Sequence, residues 1–202
     1  MELEVRGPGH DLHSGNYGGV VHDPLQALCE IVARLHDSRG RVAVPGFYDR
    51  IREWSASERA AVARNAPRGA AILRETGVPR TWGERGVNVA ERLALRPSLA
   101  ITGIFGGHAG EGPKAVIPAR AVAKLSFRLV PDQDPREIER LFRAHLSRIS
   151  PPTVRTTLRL HFAAWPVVID PRHPAMRAAA PRPRFGGGPP IPPGGELRLR
   201  LS

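Results

Sequence analysis

Apolar and polar residues alternate in four separate stretches of the chain. Leu3 and Val5 alternate with Glu2, Glu4 and Arg6, which predicts a short strand over Glu2–Arg6. Ser98–Ile104 reads as a second strand. Ala121, Ala123, Leu125, Phe127 and Leu129 then alternate with Val122, Lys124, Ser126 and Arg128, the pattern of a strand with one buried and one polar face. Val154, Thr156, Leu158, Leu160 and Phe162 alternate with Arg155, Thr157, Arg159 and His161 to make a fourth. Helical spacing lies between these strands. Asp23-Pro24 offers an N-cap followed by proline at the first helical position, and Leu25, Leu28, Cys29, Val32 and Leu35 follow on one face until Gly40. Cys29, on that stripe, is expected to be a buried structural thiol. Asp134-Pro135 opens a second helix with Ile138, Leu141, Phe142, His145 and Ile149 on one face. The order strand, helix, strand, strand, helix, strand predicts an α+β fold: a four-stranded antiparallel sheet with two helices on one face, the ferredoxin-like arrangement.

Two regions break the pattern. Between about residues 42 and 96 the periodicity loosens, with short helices expected at Ser57–Asn65 and Ala70–Glu75, bounded by Pro67, Gly77 and Pro79. This stretch reads as a helical insertion between core elements. From Pro181 onward proline and glycine leave no room for a helix or central strand, so disorder is expected after about Ala180. The 202 residues therefore hold one domain, 1–165, a transition over 166–180 and a Pro/Gly/Arg-rich tail over 181–202.

Composition removes several function classes. No apolar run reaches the roughly 18 residues of a membrane span, and no basic stretch with an apolar segment opens the chain, so a soluble, cytoplasmic protein is expected. One cysteine rules out a disulfide framework and a cysteine-based zinc site. The formal charge of +11 raises nucleic acid as a partner. The basic residues are scattered arginines, only Lys114 and Lys124 being lysine, and aromatics make up 5%. Neither a basic stripe nor a stacking platform results, and no nucleic-acid partner is expected.

Candidate chemistry clusters in two loops and one strand. His10, Asp11 and His13 share a Gly-rich loop, with His22 and Asp23 beyond it. Together they could contribute to a metal site, but neighbours on an extended segment face opposite ways, and a polar loop held by its own hydrogen bonds is the weightier reading. His13-Ser14 lacks the surroundings of a nucleophile elbow. Gly106–Lys114 resembles a phosphate loop only superficially, because Pro113 interrupts the spacing and Ala115 follows the lysine. Arg128 lies on the polar strand face, where it is either a solvated arginine or a bidentate grip for a carboxylate.

The segments LEVRGPGHDLHSGNYGG, HDPLQAL and RPSLAITGIFGGHAGEGPKAVIPARAVAKLSFRLVPDQDP resemble the lid and dimerisation domain of the zinc metallopeptidase family M20. That family includes carnosinase-type dipeptidases, aminoacylases and succinyl-diaminopimelate desuccinylase. The resemblance runs from Glu2 to about Ala180, and the insertion resembles that of the carnosinase branch. It implies a homodimer formed through the lid, a separate catalytic domain with two zinc ions, and a peptide or N-acyl amino acid substrate. It further implies that His13 steadies the oxyanion in the partner subunit. Arg128 would grip the substrate's terminal carboxylate, and Ala115 occupies a substrate-facing position that is often Thr. The family's zinc ligands lie before and after the matched segment, so this chain is expected to bind no metal and to hydrolyse nothing alone. The family's GGSIP-like motif is replaced by RPRFGGGPPIPPGGELRLRLS, as a frame shift near Pro181 would produce in a GC-rich gene. The alternative is a stand-alone dimerisation or capping module without catalysis.

Overall fold

The computed structural model describes residues 1–167 and Pro174, and every element named below lies in the unit Met1–Val167. The 181–202 tail and nearly all of the 166–180 transition fall outside the described residues. In chain order the elements are β1 (Glu2–Arg6), β2 (Leu12–His13), α1 (Ser14–Tyr17), α2 (Pro24–Ala33), α3 (Ala56–Asn65), α4 (Gly69–Thr76), α5 (Val89–Ala94), β3 (Ser98–Gly106), β4 (Val116–Ile117), β5 (Arg120–Arg128), α6 (Pro135–Ile149) and β6 (Arg155–Arg159).

Four strands form one sheet in the order β3-β5-β1-β6, each neighbouring pair antiparallel. This is the ferredoxin-like sheet that the alternation predicts. The inward face of the sheet carries Leu3, Val5, Leu99, Ala121, Ala123, Leu125 and Leu158, which share one core with Leu28 and Ile31 of α2 and with Ile138, Phe142 and Leu146 of α6. Small alanines on β5 let α2 lie close to the middle of the sheet. Both packing helices start with the same device. Asp23 Oδ1 accepts from the Leu25 N–H at 2.7 Å and Asp134 Oδ1 from the Arg136 N–H at 2.8 Å, each with proline next in line.

Glu4 is buried, although the alternation puts it on the polar face. Its strand is central, and the Arg6 guanidinium bonds to it at 2.6 Å with Arg120 at 3.5 Å. The Arg6 hydrogen bond, first among the causes, holds the Glu4 carboxyl below the usual carboxylate range.

Three details differ from the sequence reading. Cys29 is exposed: α2 buries Ala27, Leu28 and Ile31, a stripe rotated toward the sheet from the one the leucines suggest. β6 is shorter than the alternation, and Phe162 beyond it is 80% exposed. A third insertion helix, α5, follows Asn88, whose side chain accepts from the Glu91 N–H at 2.9 Å. The insertion is mostly surface, since α3, α4 and α5 contain no buried residue. Its leading residues belong to the core, however. Val42, Val44 and Phe47 are buried, and Phe47 joins an aromatic row through Phe127 to Phe142. The buried Gln133 amide fixes this corner by donating to the Phe47 carbonyl at 2.7 Å while its oxygen accepts from the Val130 N–H.

His145 on α6 is 5% exposed, and neither ring nitrogen has a hydrogen-bond partner. Burial pushes its pKa down against the pull of the Arg34 backbone, with the Arg148 charge acting in the same direction as burial. Burial likewise lowers His36. The unfolded chain therefore takes up these protons before the folded one does. The stability linked to these two histidines is full above about pH 6.5, the ordinary histidine value, and declines as pH falls below it. The expected result is a urea midpoint that drops between pH 7 and pH 5, and drops less in His145→Leu; an equal drop in both proteins would refute the role of His145.

Candidate functional site

The loop carrying His13 is stitched to residues 115–119, far from it in sequence. Beyond β1, the Gly7 N–H donates to the Ala119 carbonyl at 3.1 Å, and Asp11 Oδ1 accepts from the Ala119 N–H at 2.8 Å. β2 then pairs with β4, placing Leu12 opposite Ile117 and His13 opposite Val116. One residue on, the Ser14 N–H donates to the Ala115 carbonyl at 3.2 Å. His13 and Ala115 are thus brought together, both exposed, on a small two-stranded platform beside the main sheet.

The His13 ring is oriented by its own turn. It caps α1, and its Nδ1 accepts from the Gly15 N–H at 3.0 Å. An Nδ1 used as acceptor leaves the proton on Nε2, so the exposed edge of the ring presents an N–H donor. Gly15 is required for this geometry, because a Cβ there would meet His13 Cε1 at 2.8 Å. The Ala115 side chain is only a methyl group, with no hydrogen bond to offer.

The neighbouring polar residues have structural partners. Asp11 holds Ala119, Asp23 caps α2, and His22 Nδ1 lies 2.6 Å from Thr153 Oγ1. Among the described residues no group of three or more His, Cys, Asp or Glu side chains is placed to hold a metal ion. The glycine-rich stretch before β4 is an exposed connection in which Gly107 and Gly112 take positive φ values of 66° and 73°.

Arg128 lies elsewhere. It ends β5, whereas the His13 platform adjoins the β5 start at Arg120, so roughly 26 Å of strand lies between them at ~3.3 Å per residue. Arg128 Nη2 donates to the Arg92 carbonyl at 2.7 Å and the Arg96 carbonyl at 3.2 Å, at the close of α5. A cation suits that end of a helix, where carbonyls have no partners within the helix. These carbonyl contacts are invisible to sequence reasoning, as is the Asp11–Ala119 clamp, because each joins residues far apart in the chain.

An antiparallel sheet backed by two helices, extended by a helical insertion and carrying exposed polar side chains at both ends of one strand, defines the class: an α+β domain that presents residues at its margins. The family described as "Peptidase dimerisation domain" matches residues 1–154, and the chain belongs to it, the dimerisation domain of M20 peptidases. The Cys-Gly metallodipeptidase dug1 of Schizosaccharomyces pombe is 30% identical over 154 residues, covering 74% of this chain and 31% of the relative. The Beta-Ala-His dipeptidase of Homo sapiens is 30% identical over 203 residues, covering 93% of this chain and 38% of its own. The solved structure of the di-peptidase Dug1p from Saccharomyces cerevisiae superposes with a TM-score of 0.73 at 30% identity, over 88% of this chain and 38% of that one. The metallo-carboxypeptidase Sso-CP2 from Sulfolobus solfataricus gives 0.72 at 30% identity, over 88% and 46%. The chain spans about a third of the length of the curated relatives.

If the Asp11 carboxylate is what pins the platform, Asp11→Ala should raise hydrogen exchange at the Ala119 amide. It should also cost about 0.5–1.5 kcal/mol of stability, the worth of an ordinary hydrogen bond. An unchanged exchange rate at Ala119 would show that the β2–β4 ladder alone holds the loop.

Proposed function

We propose that this chain is the dimerising, substrate-contacting part of a cytoplasmic zinc metallodipeptidase or related amidohydrolase acting on peptide or N-acyl amino acid bonds. Two copies pair through this domain, and each lends His13 to the active site of its twin. The observation that carries the reading is the pairing of an outward Nε2–H on His13 with its distance from Arg128. Two residues of extended substrate span at most about 7 Å. One bound dipeptide therefore cannot touch both His13 and Arg128 of the same chain. If both serve catalysis they serve different sites, as a histidine donated across a twofold axis would.

In that arrangement the His13 Nε2–H donates to the oxygen of the amide carbonyl as negative charge builds on it, and the Gly15 contact spares the ring a reorientation at that moment. Arg128 holds the terminal carboxylate and Ala115 faces the substrate with a methyl group that makes no hydrogen bond. The described residues hold no group of three or more metal-ligating side chains, so the zinc pair belongs to a catalytic half outside them. The outer edge of β3, which has no strand partner among the described residues and ends in the exposed Ile104 and Phe105, supports association with a second copy.

The test combines this chain with a catalytic half from a relative and follows chelator-sensitive dipeptide hydrolysis and mass by sedimentation. Turnover is expected only for the dimeric assembly. His13→Ala should lower it by about 10²–10³, the usual worth of an oxyanion donor, without changing mass. A His13→Ala loss no larger than that of the surface change Arg39→Ala, or a monomer with full turnover, would overturn the proposal.

A further inference from the structure

A cavity of about 360 Å³ opens between the insertion and the Arg128 end of the sheet. Its apolar walls are Val42 and Leu99 from the core and Ile72, Val89 and Leu93 from the insertion, with Trp82 at the rim. Trp82 and Leu93 are 74% and 44% exposed, although both are large apolar side chains. The volume lies at the small end of the roughly 300–1,000 Å³ of small-molecule sites, and an apolar lining with few polar groups is their usual composition.

The polar groups around the cavity are nearly all committed. Both Glu84 oxygens accept from Arg96, each at 2.7 Å. Arg92 donates to the Trp82 carbonyl at 2.8 Å and to Thr81 Oγ1 at 3.2 Å. The Tyr48 hydroxyl accepts from the Val42 N–H at 2.9 Å. Arg128 is different. Its Nη2 is taken by two carbonyls, while its Nε and Nη1 have no hydrogen-bond partner among the described residues. Three arginines and one glutamate line the cavity, so its field favours an anion. Nη2 belongs to both two-pronged edges of the guanidinium, so Arg128 has single N–H donors left, and an apolar hollow beside such a cationic donor calls for a ligand that is a carboxylate at one end and apolar at the other.

We propose that this cavity is the subsite for the side chain of the substrate's C-terminal residue, and that it selects bulky apolar residues. A free N–H of Arg128 donates one charge-assisted hydrogen bond to the carboxylate, and the side chain is buried among Ile72, Val89, Leu93 and Trp82. This rests on the reading of Arg128 as the carboxylate grip. It adds a role for the insertion, whose helix α5 both orients Arg128 through its carbonyls and supplies the walls.

The test uses this chain itself, titrated by NMR with N-acetylphenylalanine, N-acetylglycine and N-acetylphenylalaninamide. N-acetylphenylalanine should bind about tenfold or more tightly than N-acetylglycine, as burial of one aromatic side chain implies. The amide, lacking the charge, should bind at least about tenfold more weakly than the acid. Trp82→Ala and Leu93→Ala alter exposed side chains, so the fold should survive them, and both should erase the preference for phenylalanine. Arg128→Gln should weaken both acids alike. Equal binding of the two acids, lost in Arg128→Gln, would leave the carboxylate grip standing and overturn the subsite. An amide that binds as well as the acid, or acids indifferent to Arg128→Gln, would overturn the grip and with it the proposal. Absence of binding by either acid would overturn it as well.

Discussion

The register between β1 and β5 is the constraint on which the rest depends. Glu2 faces Lys124, Leu3 faces Ala123 and Val5 faces Ala121, so every inward residue of one central strand meets an inward residue of the other. A slip of one position would turn Ala121, Ala123 and Leu125 toward water and put Lys124 under α2. The polar face carries its own check on that register, because Glu2 pairs with Lys124 and Glu4 with Arg120 across the same two strands. With β5 fixed in this way, Ala119 just before it anchors the His13 platform, and its last residue is Arg128. The spacing of His13 and Arg128 follows from the length of one strand and not from the loops.

Much of this was legible because the responsible forces are local. Alternation in β1 and β5 and the two Asp-Pro helix starts are written within a few residues of the structure they specify. The α2 stripe misled at Cys29 because the leucines mark only part of the buried arc. Ala27 and Ile31 complete it on the other side, and small side chains carry little pattern. The β6 alternation runs past the strand, whose pairing with β1 ends with Arg159 opposite Glu2. The candidate site residues His13, Ala115 and Arg128 came from motif resemblance. What the motif did not contain was the tautomer set by Gly15, the Asp11 clamp, and the α5 carbonyls that hold Arg128. Each is a contact whose partner no short window includes.

Arginine is used here in ways that explain its abundance without a common ligand. Arg34 and Arg128 donate to carbonyls at or near helix ends, Arg92 to a loop carbonyl, and Arg96 grips Glu84 with both arms. Arg41 and Arg96 also lie over the Tyr48 ring at 4.4 and 5.0 Å. In the insertion, where no helix buries a residue, such ties replace the hydrophobic face that holds α2 and α6 in place.

The position of β1 has a consequence for how the chain reaches this state. The first strand of the sequence is a middle strand of the sheet, and its neighbours are Leu158 on one side and Ala123 on the other. During synthesis it must wait, solvated and unpaired, until nearly the whole domain has left the ribosome. Such long-range closure slows folding, and until it happens the exposed edges of β5 and β1 are open to any other strand at hand. A chain built on this topology therefore meets its greatest hazard before it has folded, at the moment when its most reliable pairing does not yet exist.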